Sequence, residues 1–423
     1  MKKTLKPFQI KGAHFLATTP HALLADEPGL GKTLQAIAAA QTLRLKRMLV
    51  ICPASVRLGW AQELVECLGH AAGWDIISYN SATKWVGKLG AAVKWDGIIL
   101  DESHFLKTPE SQRTQAVLGN VGLVRRAKHK WLLSGTPVLN RPRELYPMLK
   151  VLHPAFATMS FTAYANRYCA AFFDGYGVNS KGASNLPELA QKLQGFMLRR
   201  TKAEVLPELP PKIISRVPLE VAAKDLEEVW AEESLISKRE SKLSTVAEEF
   251  SQLGDMARLL RLTGLAKVIS AAAYIGDLLE TENKIVVFAH HREVIGRLEI
   301  LLSKFGVVVY HGGMSDGQKK ETIEKFQGQA ARVFIGQIQA AGTGINGLQG
   351  VCSTAVFAET DWTPGTMSQA VDRLHRIGQT AQSVNVHILH IPGTLESAVL
   401  SVHDAKVSVI ERLMNDNILE GLL

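Results

Sequence analysis

Short apolar runs rich in β-branched residues alternate with longer amphipathic stretches along most of the chain. In the first half the runs occupy positions 48–52, 97–100 and 131–133, and in the second half positions 284–288, 307–310, 332–335 and 355–357. Each run ends at a polar or glycine-containing turn. Nearly continuous apolar strands followed by helices are typical of parallel sheets that are covered on both faces. The pattern therefore predicts an α/β protein with two parallel-sheet lobes.

A charged segment at residues 220–250 separates the two sets of predicted strands. Its apolar residues recur at helical spacing, namely Leu226, Val229, Trp230, Leu243, Val246, Ala247 and Phe250. The spacing indicates amphipathic helices that bridge the lobes, and a solvated helix pair that acts only as a spacer fits the same pattern. We expect an N-terminal lobe with a helical insertion at 1–215, a helical linker at 216–265 and a C-terminal lobe at 266–423. Residues 173–184 are predicted to form a surface loop.

The composition limits the class of protein. The 423 residues are 46% hydrophobic and 21% charged, which excludes a disordered chain, a collagen and a coiled-coil rod. The net charge of +8 permits an anionic partner without requiring one. The four cysteines are scattered, which predicts buried thiols rather than a zinc or disulfide framework. Because no run of about 18 apolar residues occurs, we expect no membrane span and a cytoplasmic, nucleoid-associated or nuclear location.

A glycine-rich turn lies directly before an apolar helical stretch. Gly29 and Gly31 let backbone N–H groups approach phosphate oxygens, and the following helix begins with Lys32 and Thr33. In this arrangement the lysine binds the β- and γ-phosphates and the threonine hydroxyl binds Mg²⁺. The strict eight-residue pattern begins with glycine, where this chain has Asp26. The turn therefore favours a nucleotide site, and an ordinary turn with a helix cap is the alternative.

Two adjacent carboxylates follow the apolar strand at 98–100. Asp101 is suited to hold Mg²⁺, and Glu102 is suited to orient the attacking water. The alternative is a helix cap with a negatively charged first turn. Because these carboxylates come after the glycine-rich turn, we favour ATP hydrolysis.

Two arginines late in the chain complete the candidate chemistry. Arg373 and Arg376 lie three residues apart, on one face if the segment is helical. Planar guanidinium groups are suited to a γ-phosphate whose charge spreads during transfer. Two arginines on a helix are ordinarily solvated, so the catalytic interpretation depends on the other motifs.

Taken in order, these segments resemble the Swi/Snf-type family of helicase-like, DNA-dependent ATPases over nearly the whole chain. The quoted segments are Pro7-Phe8-Gln9, residues 26–33, Ile51-Cys52-Pro53-Ala54-Ser55 with Trp60, Asp101-Glu102-Ser103-His104, Leu133-Ser134-Gly135-Thr136-Pro137 with Asn140, Leu198-Arg199-Arg200-Thr201-Lys202, Val287-Phe288-Ala289-His290-His291, Gly342-Thr343-Gly344-Ile345-Asn346 and residues 369–379. The resemblance implies two RecA-like lobes with ATP in the cleft between them, Mg²⁺ as cofactor and double-stranded or branched DNA as partner.

The resemblance also assigns residues that the pattern alone does not. It implies adenine recognition by Gln9, for which helix capping is the alternative. It further implies nucleotide contacts by Gly344 and Gln369. The DNA contacts that it implies are Ser55, Trp60, Ser134, Thr136 and Gly342.

Within this family, three stretches are most similar to the annealing-helicase, or HARP-like, branch: residues 101–107, 181–186 and 288–291. The chain departs from the family pattern at Gly347, which separates Asn346 from Leu348.

Basic clusters suit contact with DNA phosphates, although about half are expected to be solvated helix faces. They are Lys2/Lys3/Lys6/Lys11, Arg44/Lys46/Arg47, Arg125/Arg126/Lys128/Lys130 and Arg199/Arg200/Lys202. The sequence thus predicts an ATP-driven translocase on double-stranded DNA. A strand-separating helicase and an ATP-responsive DNA clamp are the alternatives, and a protein partner is left open.

Overall fold

The computed structural model describes residues 1–88, 93–138, 141–173, 175, 177–240, 257–341, 345–361, 364–394, 396–397 and 413, with only the backbone of 237–240 and 364. The chain divides into two compact units. Unit 1 comprises Met1–Pro207 with Lys406–Leu423, and unit 2 comprises Glu208–Ala405.

Unit 1 is built on a six-stranded parallel sheet. Its strands are β1 (His21–Leu24), β2 (Met48–Cys52), β3 (Trp74–Ser78), β4 (Trp95–Asp101), β5 (Ala127–Leu133) and β8 (Met197–Leu198), and their order across the sheet is β3-β2-β4-β5-β1-β8. Every neighbouring pair is parallel. The carboxyl ends of these strands therefore meet at one edge, where ligands of such sheets bind.

The strands of unit 1 are apolar on both faces because each face is covered. Along β2, Leu49 and Ile51 belong to one buried cluster, and Met48, Val50 and Cys52 belong to the other. This is the alternation with a period of two residues that a strand produces. The apolar run that predicted a covered strand is thus explained by two cores on opposite faces of one sheet.

Helices of unit 1 cover both faces of the sheet. They are α1 (Pro7–Thr18), α2 (Lys32–Thr42), α3 (Arg57–Leu68), α4 (Tyr79–Lys88), α5 (Gln112–Leu118), α6 (Tyr146–Leu152), α7 (Pro154–Ala157), α8 (Phe161–Tyr168), α9 (Leu186–Leu193) and α10 (Lys202–Val205). The predicted surface loop contains a short antiparallel hairpin, β6 (Phe172–Phe173) and β7 (Val178–Asn179).

Unit 2 repeats the design with a second six-stranded parallel sheet. Its strands are β9 (Lys212–Pro218), β10 (Ile285–Ala289), β11 (Val307–Tyr310), β12 (Val333–Gln337), β13 (Thr354–Phe357) and β14 (Val384–His390), and their order is β11-β12-β10-β13-β14-β9. Val286 and Phe288 face one core, and Ile285, Val287 and Ala289 face the other. The predicted pair of parallel-sheet α/β lobes is confirmed.

The predicted domain boundary at residue 215 falls within β9. This strand pairs with β14 along its whole length, from Lys212 beside Val384 to Pro218 beside His390. Its main-chain bonds therefore place it in unit 2, and the compact units divide at Pro207. No periodicity in the chain marks this position, because an edge strand is recognised only by the partner that it pairs with.

The remaining described helices belong to unit 2. They are α11 (Ala223–Glu240), α12 (Ala257–Ala266), α13 (Val268–Thr281), α14 (Arg292–Leu301), α15 (Asp316–Gln327), α16 (Ile338–Ala341) and α17 (Pro364–Val371). In the predicted linker, Leu226 and Val229 are buried in a small cluster with Leu259 and Leu262, whereas Trp230 is exposed. The other predicted apolar positions, Leu243, Val246, Ala247 and Phe250, lie outside the described residues.

Within the described part of the chain, no single helix is long and apolar enough to cross a membrane. The helices α12 and α13, bent by 56° at their junction, reach that length and apolarity only as a pair.

The prediction of buried thiols is confirmed, because Cys52, Cys67, Cys169 and Cys352 are all buried and free.

Candidate functional site

The glycine-rich turn joins the carboxyl end of β1 to the first turn of α2. Gly29 and Gly31 have φ angles of 89° and 74°, in the left-handed region that side chains disfavour. Gly31 is the residue that caps α2, and Lys32 and Thr33 form its first turn. The loop therefore has the conformation in which backbone N–H groups and a helix N-terminus converge on an anion.

Lys32 folds back onto the loop that precedes it. Its Nζ donates hydrogen bonds to the carbonyl oxygens of Asp26, at 2.7 Å, and Glu27, at 3.2 Å. Main-chain carbonyls are neutral acceptors, so a phosphate offers this ammonium group a stronger, charge-assisted bond. The contact keeps the lysine at the loop.

Asp26, which replaces the expected first glycine, is completely buried and fully bonded. Arg200 Nε donates to its Oδ1 at 2.9 Å, and the Gln35 amide donates to its Oδ2 at 3.0 Å. A buried carboxylate needs such partners because it has lost its hydration. The aspartate that replaces the first glycine therefore holds the loop to Arg200 and Gln35.

Gln9 has both ends of its amide engaged by the protein. Its Oε1 accepts from the N–H of Lys6 at 2.9 Å and completes a capping box at the start of α1. Its Nε2 donates to the carbonyl oxygen of Leu30 at 3.2 Å. The geometry shows the capping role directly, and it also places Gln9 against the phosphate loop. Adenine recognition remains a prediction.

The two adjacent carboxylates lie at the carboxyl end of β4. Asp101 Oδ2 accepts from Trp60 Nε1 at 2.7 Å, and its main-chain oxygen accepts from the Tyr79 hydroxyl at 2.8 Å. Burial, and then the neighbouring Glu102 carboxylate, raise the pKa of Asp101 to about 6, while Lys32 opposes the shift. A cation beside Asp101 would stabilise the charged form of this carboxylate.

Glu102 does not use its side chain as a helix cap. It precedes the short 3₁₀ turn Ser103–Leu106 with φ 49°, and its side chain makes no capping bond. Its Oε2 is buried without a hydrogen-bond partner among the described residues, and His104 Nδ1 lies 3.4 Å from it. Burial lowers the pKa of His104 to about 3, so this imidazole is neutral. The unbonded carboxylate oxygen is therefore free to accept from a ligand.

This donor set fits Mg²⁺ bound together with a nucleotide. Mg²⁺ keeps several waters and takes one or two protein oxygens plus phosphate oxygens. Asp101 and Thr33 would supply the protein oxygens. Among the residues that the structure describes, no group of three or more His, Cys, Asp or Glu side chains could hold a metal by itself. The residues therefore fit a Mg²⁺ ion that is also bound by the phosphate groups of a nucleotide.

The two arginines of unit 2 lie in turns after α17. The helix ends at Val371, so the expectation of a helical face is wrong for Arg373 and Arg376, and their chain continues through successive tight turns. Arg373 donates to the carbonyl oxygen of Ile345 at 3.4 Å, and Arg376 donates to Asn346 Oδ1 at 2.7 Å. The loop around residue 345 therefore orients both guanidinium groups without a helix.

Arg376 is unusually poorly solvated for an arginine. Burial, and then the positive charge of Arg373, lower its pKa to about 10, and its Nε is buried without a hydrogen-bond partner in the described chain. Two close guanidinium groups, one of them incompletely bonded, favour the approach of an anion.

Other predicted residues of unit 2 are placed as follows. Gln369 is buried on α17, and Gly342 and Gly344 lie outside the described residues. Gly347, the departure from the family pattern, has φ 92°, and a Cβ there would overlap with Gln327 Nε2. His290 and His291 are tied to buried Glu359, whose Oε2 accepts from both of their main-chain N–H groups at 2.8 and 2.9 Å.

Sequence models of two domains match the chain in order. The SNF2-related domain matches residues 8–72 and 70–264, and the helicase conserved C-terminal domain matches residues 268–378. The chain belongs to the SNF2 family. The resemblance stated from the motifs is confirmed.

Relatives of this SNF2-family chain include the "DNA annealing helicase and endonuclease ZRANB3" of Mus musculus, 33% identical over 98% of this chain and 41% of that protein. The "SWI/SNF-related matrix-associated actin-dependent regulator of chromatin subfamily A-like protein 1" of Xenopus tropicalis is 34% identical over 96% of this chain and 44% of that protein. The chain spans less than half the length of these relatives. The solved "Sulfolobus solfataricus SWI2/SNF2 ATPase core in complex with dsDNA" is 24% identical, with coverage of 100% and 96% and a TM-score of 0.45.

Burial disfavours two of the DNA contacts that the SNF2 resemblance implies, Trp60 and Ser134. Trp60 is 2% exposed and uses its only donor on Asp101, so it presents no surface to a phosphate backbone. Ser134 is fully buried, and its Oγ bonds to His104 Nδ1 at 3.0 Å. Ser55 and Thr136 are partly exposed and stay predictions, and Gly342 lies outside the described residues.

The family's arginine-rich segment after β8 also differs from expectation. Arg199 donates to the carbonyl oxygens of Ala25 and Gly135, at 3.1 and 3.4 Å, and Lys202 is 3% exposed. These side chains, with Arg200, are used inside unit 1 rather than displayed to DNA. Gly135 itself touches the loop, because a Cβ there would lie 2.5 Å from Pro28 Cγ.

Proposed function

We propose that this SNF2-family chain is a DNA-stimulated ATPase that moves along double-stranded DNA. The observation that carries the proposal is the buried, unbonded Glu102 carboxylate oxygen beside Asp101, in the same unit as the glycine-rich loop. A carboxylate in that condition is suited to accept a proton or hydrogen bond from an attacking water.

In this proposal, Lys32 exchanges its carbonyl acceptors for the β- and γ-phosphates of ATP. Asp101 and the Thr33 hydroxyl would hold Mg²⁺, which when bound would supply positive charge beside the phosphate oxygens. Trp60 fixes the orientation of the Asp101 carboxylate through the indole N–H. Glu102 orients the water for in-line attack.

Arg373 and Arg376 would stabilise the charge that develops on the γ-phosphate. They belong to a different unit from Lys32, so hydrolysis would require residues of both units. DNA that binds both units would then stimulate turnover, and repeated cycles would move the protein along a phosphate backbone. The relative named a DNA annealing helicase favours strand annealing as an accompanying activity, and branched DNA is a second candidate substrate beside intact duplex.

The test is the rate of phosphate release from ATP with duplex, single-stranded and forked DNA and with RNA. We expect duplex-containing DNA to stimulate the rate, and Lys32→Ala to abolish it. Displacement of a triplex-forming strand should report movement along intact duplex, without separation of the duplex strands. A rate that is unchanged by every nucleic acid would refute the proposal and favour an ATP-responsive clamp.

A further inference from the structure

Arg200 occupies the centre of a buried polar cluster beneath the phosphate loop. Its guanidinium grips Asp26 with two bonds, Nε to Oδ1 at 2.9 Å and Nη2 to Oδ2 at 2.5 Å. The Arg200 side chain is 12% exposed and that of Asp26 is 0% exposed. The pair is therefore a bidentate, largely desolvated ion pair, a geometry that only arginine provides.

The same guanidinium reaches both helices that flank the loop. Its Nη2 donates to Gln35 Oε1 on α2 at 2.9 Å, and its Nη1 donates to the carbonyl oxygen of Phe8 on α1. It also lies over the Phe8 ring, 5.6 Å from the centroid. Gln35 returns a bond to Asp26 and another to the carbonyl oxygen of Leu30, which Gln9 also contacts. One side chain thus joins α1, the phosphate loop and α2.

The main chain around Arg200 reinforces these contacts. Ala25 N–H donates to the carbonyl oxygen of Leu198 at 2.7 Å, and Glu27 N–H donates to that of Arg200 at 3.0 Å. The N–H of Lys202 donates to Glu27 Oε2 at 2.7 Å. The first half of the phosphate loop therefore runs along residues 198–202 as a continuation of the pairing between β1 and β8.

Gly12 shows how closely α1 approaches this cluster. A Cβ at position 12 would overlap with Gln35 Oε1 and lie 2.6 Å from Arg200 Nη2. A side chain at position 12 would therefore displace the ends of the Gln35 and Arg200 side chains, which are the groups that hold Asp26.

We infer that Arg200 is a positioning residue for ATP binding: with Asp26 and Gln35, it fixes the phosphate loop and couples it to α1, which carries Gln9. The inference rests on the proposed function, because it assumes that the loop binds the phosphates of ATP. Arg200 contacts the loop through Asp26 and would act on the phosphates through the loop. Its loss would misplace the loop N–H groups and separate the base side of the site from the phosphate side.

The experiment measures the Kd for ATP by titration calorimetry, and unfolding midpoints by calorimetric scanning. Arg200→Lys keeps the charge but loses the fork. We expect its Kd to rise by about 10- to 100-fold, since small displacements of positioning groups have effects of this size. The Kd for duplex DNA without nucleotide should stay within about twofold of that of the parent protein, because Arg200 is bonded inside unit 1.

A neutral pair separates positioning from stability. The double variant Asp26→Asn with Arg200→Gln leaves no buried charge but cannot form the two parallel hydrogen bonds of the ion pair. We therefore expect its Kd for ATP to rise, and its unfolding midpoint to fall less than that of Arg200→Lys. The matched control is Lys267→Gln with Glu396→Gln, which neutralises a 2.5 Å buried pair of unit 2. The control should lower the midpoint and leave the Kd unchanged.

An unchanged Kd in both Arg200 variants, with a lowered midpoint, would overturn the inference and leave Arg200 a purely structural role. An equal loss of ATP affinity in the Lys267 control would overturn it as well. Because binding is measured separately from hydrolysis, a parent protein that binds ATP without DNA-stimulated turnover would refute the proposed function and still test Arg200.

Discussion

Replacing Trp60 by phenylalanine would distinguish a DNA contact from support of the metal site. The indole Nε1 donates to Asp101 Oδ2 at 2.7 Å, and Trp60 is 2% exposed, so solvent cannot replace the bond. A hydrogen bond to a charged group contributes about 1.5–3 kcal/mol. At about 1.36 kcal/mol per factor of ten, the Mg²⁺ concentration for half-maximal turnover should rise by about 10- to 150-fold as an upper bound.

Trp131 offers a matched control for the loss of ring volume. It is fully buried in the same apolar cluster as Trp60, and its Nε1 has no hydrogen-bond partner among the described residues. Trp131→Phe therefore removes a similar volume from the same core without removing a bond to a carboxylate. Both variants should lower the unfolding midpoint, and only Trp60→Phe should raise the Mg²⁺ requirement.

The assay titrates Mg²⁺ at saturating ATP and duplex DNA, and measures DNA affinity separately by fluorescence anisotropy without nucleotide. We expect the DNA affinity of Trp60→Phe to equal that of Trp131→Phe. If Trp60→Phe instead weakened DNA binding tenfold or more and left the Mg²⁺ requirement unchanged, the reasoning from burial would be refuted. The DNA contact implied by the family resemblance would then stand.

Three further predictions concern the proposed chemistry. Glu102→Gln should bind ATP almost normally but lose turnover, because the amide keeps the shape of the side chain and leaves Asp101 in place; parent-like phosphate release would remove Glu102 from its role. Gln9→Ala should lower the unfolding midpoint, since α1 loses its cap, and should narrow the preference for ATP over GTP in competition assays. A lower midpoint with an unchanged preference would leave Gln9 as a cap only. Arg376→Lys should keep near-normal affinities for ATP and DNA but lose DNA-stimulated turnover by about 10³–10⁵-fold, because lysine lacks the planar fork. A change only in the salt dependence of DNA binding would contradict that assignment.

Much of the fold could be predicted because buried parallel strands leave a local signature. The run Met48-Leu49-Val50-Ile51-Cys52 is apolar at every position because both faces of β2 are covered. β9 left no such signature. Six of its seven residues are exposed, including Ile213 and Ile214, and its place is set by main-chain bonds to β14. Pairing across about 170 residues is not encoded in the local pattern of either segment.

At the site, local motifs are enough to name candidate residues. They do not predict the role of a side chain whose bonding partner is distant in the chain. Lys32, Asp101 and Glu102 carry local motifs. The basic cluster favours Arg200 as a contact for DNA phosphates, because the carboxylate that it pairs with lies 174 positions earlier and outside the local pattern. A signal was present, since an acid in an apolar loop, at the position of a usual glycine, requires a buried cation.

The buried cysteines make the chain convenient for site-directed labelling. Burial raises the pKa of Cys67 and Cys169 to about 11 and that of Cys352 to about 12, and raises that of Cys52 further. The thiolate is the form of cysteine that attacks a maleimide, and it is scarce at neutral pH for such groups. Single cysteines introduced on the surface of each unit should therefore accept donor and acceptor dyes without removal of the native thiols. Fluorescence transfer between the dyes would follow the separation of the units through a cycle of ATP hydrolysis.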